Sequence, residues 1–156
     1  MPVTGGPYLT AAYFCEKVLR EQDGVLSTIR IVDRWTVNGP TEAMPLTVIQ
    51  ASIVVLLKSG LYRGTGRITA TPISPSNQRM EPIILPVVFG GDDDNGGGAV
   101  LPIGFPAQED GLYWFEISLE GQGLPAYVVT CIPMRVVYLR IGPTLGRPSP
   151  PASPGG

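Results

Sequence analysis

Two pairs of arginines and one run of aspartates are the side chains of this sequence best equipped for chemistry. Arg30 and Arg34, and likewise Arg63 and Arg67, are spaced i, i+4. In an extended strand, where successive side chains alternate, that spacing puts both members on one face. If the two faces belong to one sheet, the four guanidinium forks make a basic band able to hold a carboxylate or phosphate bidentately. The competing reading is a polar outer face balanced by Glu116 and Glu120. Asp92, Asp93 and Asp94, followed by Asn95, offer the oxygen ligands that suit Ca²⁺. Their spacing departs from an EF-hand loop, since a glycine falls where the third oxygen ligand belongs and no Glu closes the loop. A solvated, charge-protected hairpin tip accounts for the same residues. Neither this loop nor Gly64-Thr-Gly66 has the strand-to-helix context of a nucleotide fingerprint.

The chain contains no histidine. That removes the commonest general base, the Ser/His/Asp and Cys/His arrangements and most zinc sites. Lys17 and Lys58 are the only lysines and read as strand-end charges, while Glu109 and Asp110 adjoin a turn. No catalytic residue, no cofactor and no enzymatic activity are expected. Cys15 and Cys131 lie in apolar surroundings at opposite ends of the chain, and the reading is two buried small hydrophobes rather than a disulfide. A net charge of −2 supplies no field for nucleic acid or anionic lipid. No apolar run reaches the roughly 20 residues of a membrane span. The N-terminus lacks a basic segment followed by an apolar one, and there is no Asn-x-Ser/Thr sequon, so the location expected is cytoplasmic.

The elements that must position these residues are strands. With 156 residues the chain fits one domain that needs no staple, and 20 glycines with 17 prolines are too many for helices. The period-2 pattern predicts eight strands. The first, Leu9 to Arg20, turns through Asp23-Gly24, where glycine supplies the positive φ. The second, Val25 to Val37, is expected to face Val25, Ile29, Ile31, Trp35 and Val37 inward and Thr28, Arg30, Arg34 and Thr36 outward. Asp33 is out of place in that inward row. It needs a bulge that turns it out or a hydrogen-bonded partner. Leu46 to Lys58 reads as a central strand, and Leu61 to Ile73 puts Arg63, Thr65, Arg67, Thr69 and Thr71 on a wet face.

Glu81 to Phe89 and Ala99 to Phe105 flank the Gly90–Gly98 segment, read as a mobile hairpin tip. Pro86 and Pro102 mark these two strands as edges or bulged. Glu109 to Gly121 sends Tyr113, Phe115, Ile117 and Leu119 to one face. Its Gly111-x-Tyr113 start resembles the corner before the penultimate strand of immunoglobulin-like sandwiches, where a Tyr hydroxyl ties back to the preceding turn. The last strand, Ala126 to Arg140, places Val128, Ile132, Met134, Val136 and Tyr138 on one face. The architecture expected is all-β: an antiparallel two-sheet sandwich of seven or eight strands over residues 1–141, immunoglobulin-like or a related Greek key. Residues 142–156 are expected as an extended Pro/Gly/Ser tail, in which Arg147-Pro-Ser-Pro-Pro151 has the composition of a polyproline ligand.

The stretch Cys15-Glu-Lys-Val-Leu-Arg-Glu-Gln-Asp-Gly-Val-Leu-Ser-Thr-Ile-Arg-Ile-Val-Asp-Arg34 resembles the opening of a family of small uncharacterised bacterial proteins, with a strand, an acidic-Gly turn and a Leu-Ser-x-Ile strand. Gly111-Leu-Tyr-Trp-Phe-Glu and Ile132-Pro-Met-Arg-Val are similar to its closing hairpin, so the likeness spans residues 9–141. It implies a fold and carries no activity or binding residue. Function is thus expected to lie in contacts with a protein partner or with a second copy, or, alternatively, in binding an anion through the arginines or Ca²⁺ through the aspartates.

Overall fold

Alternation of Ile49, Ala51, Ile53, Val55 and Leu57 makes one face of the most β-branched run fully apolar, and all five are buried. The structure, a computed structural model, describes residues 5–142. They form nine strands and no helix: β1 (Tyr8–Arg20), β2 (Leu26–Val32), β3 (Arg34–Gly39), β4 (Thr47–Lys58), β5 (Gly64–Ile73), β6 (Ile83–Phe89), β7 (Gly96–Ala107), β8 (Gly111–Gly121) and β9 (Leu124–Arg140). Among the described residues no helix is long and apolar enough to cross a membrane. Of the expected tail, only Gly142 falls within the described residues.

The strands form a four-stranded sheet, β2-β1-β4-β7, and a five-stranded sheet, β3-β9-β8-β5-β6. Their inner faces share one apolar cluster, to which β4 and β7 contribute from one side and β5, β8 and β9 from the other. Aromatic edges link the two sheets. Phe14 of β1 stands T-shaped on Phe115 of β8 with centroids 4.9 Å apart, and Phe105 of β7 lies 5.2 Å from Phe115 and 5.3 Å from Tyr113. The prolines fall where a missing donor is harmless: Pro86 on β6 and Pro102 on β7, both edge strands.

Five expectations are corrected. The run from Val25 to Val37 is two strands in two different sheets, because the chain crosses over at Asp33. Val25, Ile29 and Ile31 are consequently exposed, Ile31 at 67%, whereas Val37 is buried. The sheets are not wholly antiparallel, for β3 runs parallel to β9 with Arg34 opposite Arg135 and Val37 opposite Tyr138. The Gly90–Gly98 segment is no hairpin tip, since β6 and β7 belong to different sheets and the loop bridges them. A register shift where β9 meets Ile117 and Ser118 turns Val128 outward, and Cys131 is exposed rather than buried.

The hairpin of β1 and β2 explains the exposed isoleucines. Cys15 is opposite Ser52, and from there β1 continues with β2 alone, reaching Arg20 opposite Leu26. In a flat sheet Leu26 would stand far from Gly98 of β7, which faces Leu56 on β4. Yet a methyl added at Gly98 would come 3.1 Å from Leu26 Cδ1. The arm therefore folds back over the outer face of β4 and β7. This accounts for Cys15 and Val54, both 0% exposed although outside the common core, and burial pushes the Cys15 thiol pKa up. Arg30, at φ +53°, breaks the pleat of the arm.

Candidate functional site

The turn at the start of the arm is built as its residues dictate. Gly24 takes φ +85°, Glu21 and Val25 close the turn by N–H to C=O at 2.8 Å, and the Asp23 carboxylate accepts the Val25 N–H at 3.1 Å. Asp33 is turned outward at the crossover, and its carbonyl accepts the Arg135 N–H at 2.9 Å. Trp35, one residue into β3, packs half-buried against the core. Gly111 sits at φ +134°, which strains any residue with a side chain, and an added methyl would press on the Pro75 ring at 3.0 Å. Two residues on, Tyr113 is buried and its hydroxyl donates to the Glu109 carbonyl at 2.9 Å. Burial raises the Tyr113 pKa.

The four arginines expected to form a band are not brought together. Arg30 belongs to the four-stranded sheet and pairs with Glu16 at 3.3 Å. Arg34 opens β3 at the far edge of the other sheet, with β9 and β8 between it and β5. Arg63 precedes β5 and donates to the Asp93 carboxylate at 2.7 Å and to the Gly60 and Tyr62 carbonyls at 2.6 and 2.9 Å. Arg67 is paired with Glu120 on the neighbouring strand. Arg79 pairs likewise with Glu116 at 2.8 Å, and its hydrogen bond, helped by its charge, holds the Glu116 carboxyl below the usual carboxylate range. These pairs are largely solvent-exposed, where water and salt screen them and each contributes little.

The aspartate loop proves to be a lace. Asp93 and Asn95 carbonyls accept the Gly60 and Ser59 N–H groups at 2.8 and 3.0 Å, the buried Ser59 hydroxyl donates to Asn95 at 3.0 Å, and Lys58 Nζ donates to the Asp94 carbonyl at 2.9 Å. Asp92 accepts the Asn95 N–H through its carbonyl. Among the described residues no three carboxylate or thiol side chains are grouped to hold a metal.

Two surfaces remain. The first is an open groove of ≈ 790 Å³ between β5, β6 and the β8–β9 turn, walled by Thr65, the Arg67–Glu120 pair, Pro86 and Leu124. Gly66 and Gly121 line it, and side chains there would strike the Glu120 carbonyl and the Tyr62 hydroxyl. The second is the edge of the five-stranded sheet at β3. Its Arg34 lies in register with Arg135 of β9, both exposed, and neither makes an ion pair or side-chain hydrogen bond among the described residues. Arg135 escaped the sequence reading because a parallel pairing between segments so distant leaves no local pattern; the oddly placed Asp33 beside Arg34 was its only signal.

Fold and surfaces together define an all-β domain of two sheets sharing one core, with Arg30, Arg63, Arg67 and Arg79 each held in an ion pair. No family model and no curated protein matches this chain.

Proposed function

We propose that this protein is a non-catalytic, immunoglobulin-like β-sandwich module that works by contact with another protein. The observation that carries this reading is the open edge at β3, which keeps unpaired arginines and lacks the devices that blunt the other sheet edges. The Tyr113 tie to Glu109, at the start of the penultimate strand, supports the immunoglobulin-like assignment. The likeness to small bacterial β-proteins is part of the same proposal, and free thiols at Cys15 and Cys131 fit a reducing cytoplasm. Binding of a small anion or of Ca²⁺ at the residues first singled out has less support, because Arg63 and Asp93 satisfy one another and Arg67 is taken by Glu120.

The test is recovery of partners by the full chain at native abundance, comparing the unaltered protein with Thr36→Pro on β3 and Arg67→Ala in the groove. A stoichiometric partner or second copy retained by Arg67→Ala and lost by Thr36→Pro is the expected result. Equal recovery by all three, or melting shifted by Ca²⁺ or phosphate alone, would overturn the reading.

A further inference from the structure

We infer that the free edge of β3 takes an extended acidic segment of a partner protein as an added strand, its carboxylates held by Arg34 and Arg135. This rests on the interaction-module reading and adds the partner's chemistry. The Asp33 and Gly39 carbonyls accept the Arg135 and Ile141 N–H groups at 2.9 and 2.8 Å. In a parallel pair alternate residues face the partner strand, so the N–H and C=O groups of Arg34, Thr36 and Asn38 point the other way. Among the described residues no strand lies beyond β3. Three donors and three acceptors are thus set out at strand spacing, which is what strand addition requires.

The other three edges are spoiled for this purpose. Pro86 removes a donor from β6, Pro102 and Pro106 remove two from β7, and Arg30 at φ +53° kinks β2. β3 has no proline and no positive φ.

Charge selects the occupant. Arg34 and Arg135 are direct register partners on one face, a like-charge juxtaposition that destabilises a sheet unless an anion lies between. Asp33 and Asp110, the acids nearest in register, pair with neither. A carboxylate on an added strand meets Arg34 directly and Arg135 across one strand, within reach of the long guanidinium stem. A second copy of this chain would instead bring another Arg34 and Arg135 to the seam. Farther along, Thr36 faces Val137 and Asn38 faces the exposed Leu139, a surface for uncharged side chains.

The experiment uses the full chain and capped peptides of about ten residues, a usual strand length, alternating Thr with Glu, with Lys or with Gln. Binding is read by fluorescence anisotropy and by hydrogen exchange at the Thr36 and Asn38 amides. The Glu peptide is expected to bind and to protect both amides. Thr36→Pro, which deletes an outward donor and spares the β3–β9 ladder, should weaken it about tenfold, the worth of one lost hydrogen bond. The double reversal Arg34→Glu with Arg135→Glu should transfer preference to the Lys peptide. Glu-peptide binding that is indifferent to Thr36→Pro overturns strand addition. Protection by the Gln or Lys peptide, or by raising protein concentration alone, overturns the acidic partner while the module reading stands. If no peptide and no concentration protects these amides, both fall.

Discussion

β2 and β3 are consecutive pieces of one alternating run, separated by a single residue, and they meet opposite fates. In β3 the odd-numbered Val37 is buried and Trp35 packs on the core. In β2 the odd-numbered Ile29 and Ile31 stand in solvent. The difference is not in the pattern, since both halves alternate large apolar with polar side chains. It lies in what each strand borders. β3 joins β9, whose inner face roofs the core, while β2 is hydrogen-bonded to β1 alone and lies on the sheet edge, with Ile29 and Ile31 on the face turned to solvent. Alternation reports that a strand has two faces; whether either face meets a core depends on its neighbours.

The comparison can be broken most forcefully by putting a charge on each half. Val37→Asp should cost roughly 3–5 kcal/mol in urea unfolding, because it buries a carboxylate without a partner. Ile31→Asp should stay within about 0.5 kcal/mol, as substitutions at exposed positions do. Equal costs would mean that the outer face of β2 is covered in solution, and the exposure on which the comparison rests would be wrong.

A middle-sized effect tests the corner that starts β8 beside β9. Tyr113→Phe keeps the ring tilted against Phe105 and leaves the Glu109 carbonyl without its donor, for a loss of roughly 1–3 kcal/mol. Its pH dependence has a definite sign. The folded-state pKa of Tyr113 lies above its ordinary value of 10.0, so the associated stability is whole below that pH and is lost as pH rises through the folded pKa. Unfolding measured on the alkaline side should show the unaltered protein losing part of its advantage over Tyr113→Phe.

A smaller effect addresses the kink. Arg30 holds φ +53°, which costs a side-chain-bearing residue about 1–2 kcal/mol and costs glycine little. Arg30→Gly also gives up the exposed pair with Glu16, worth at most about 1 kcal/mol. A net gain of a few tenths to about 1 kcal/mol is expected in chemical unfolding. A net loss would show that the arm depends on the ion pair and not on the bend.

How far the sequence was readable follows the same division. β4, β7 and β8 were legible because each is flanked by strands of its own sheet or edged with proline, and a buried face of Ile49 to Leu57 or Tyr113 to Leu119 declares itself by period alone. The crossover at Asp33 was visible only as an acid in an apolar row. Sheet membership was not visible at all, and the arginine band depended on it. The i, i+4 rule was applied through a residue at which the chain changes sheets, so Arg30 and Arg34 were assigned a common face that they do not share. Arg63 and the aspartate loop were each noticed, but their meeting at Asp93 joins two turns that no local pattern connects.

The smallest expected effect bears most on function, because its sign matters more than its size. Arg30 and Arg34 belong to the same run, yet one is neutralised by Glu16 and the other stands opposite Arg135. Arg34→Ser should therefore raise stability by roughly 0.2–0.5 kcal/mol at low salt, by relieving like-charge repulsion across the strand pair. The gain should shrink as ionic strength rises and screening shortens to about 8–10 Å. Arg30→Ser, with a glycine-like backbone excluded, should show no such gain. A stabilising Arg34→Ser would mean that this edge keeps an arginine at the expense of the fold, as positions that serve a contact outside the domain do. If the substitution destabilises instead, Arg34 already has an anion in solution within the protein itself, and β3 has no charge left to offer a partner.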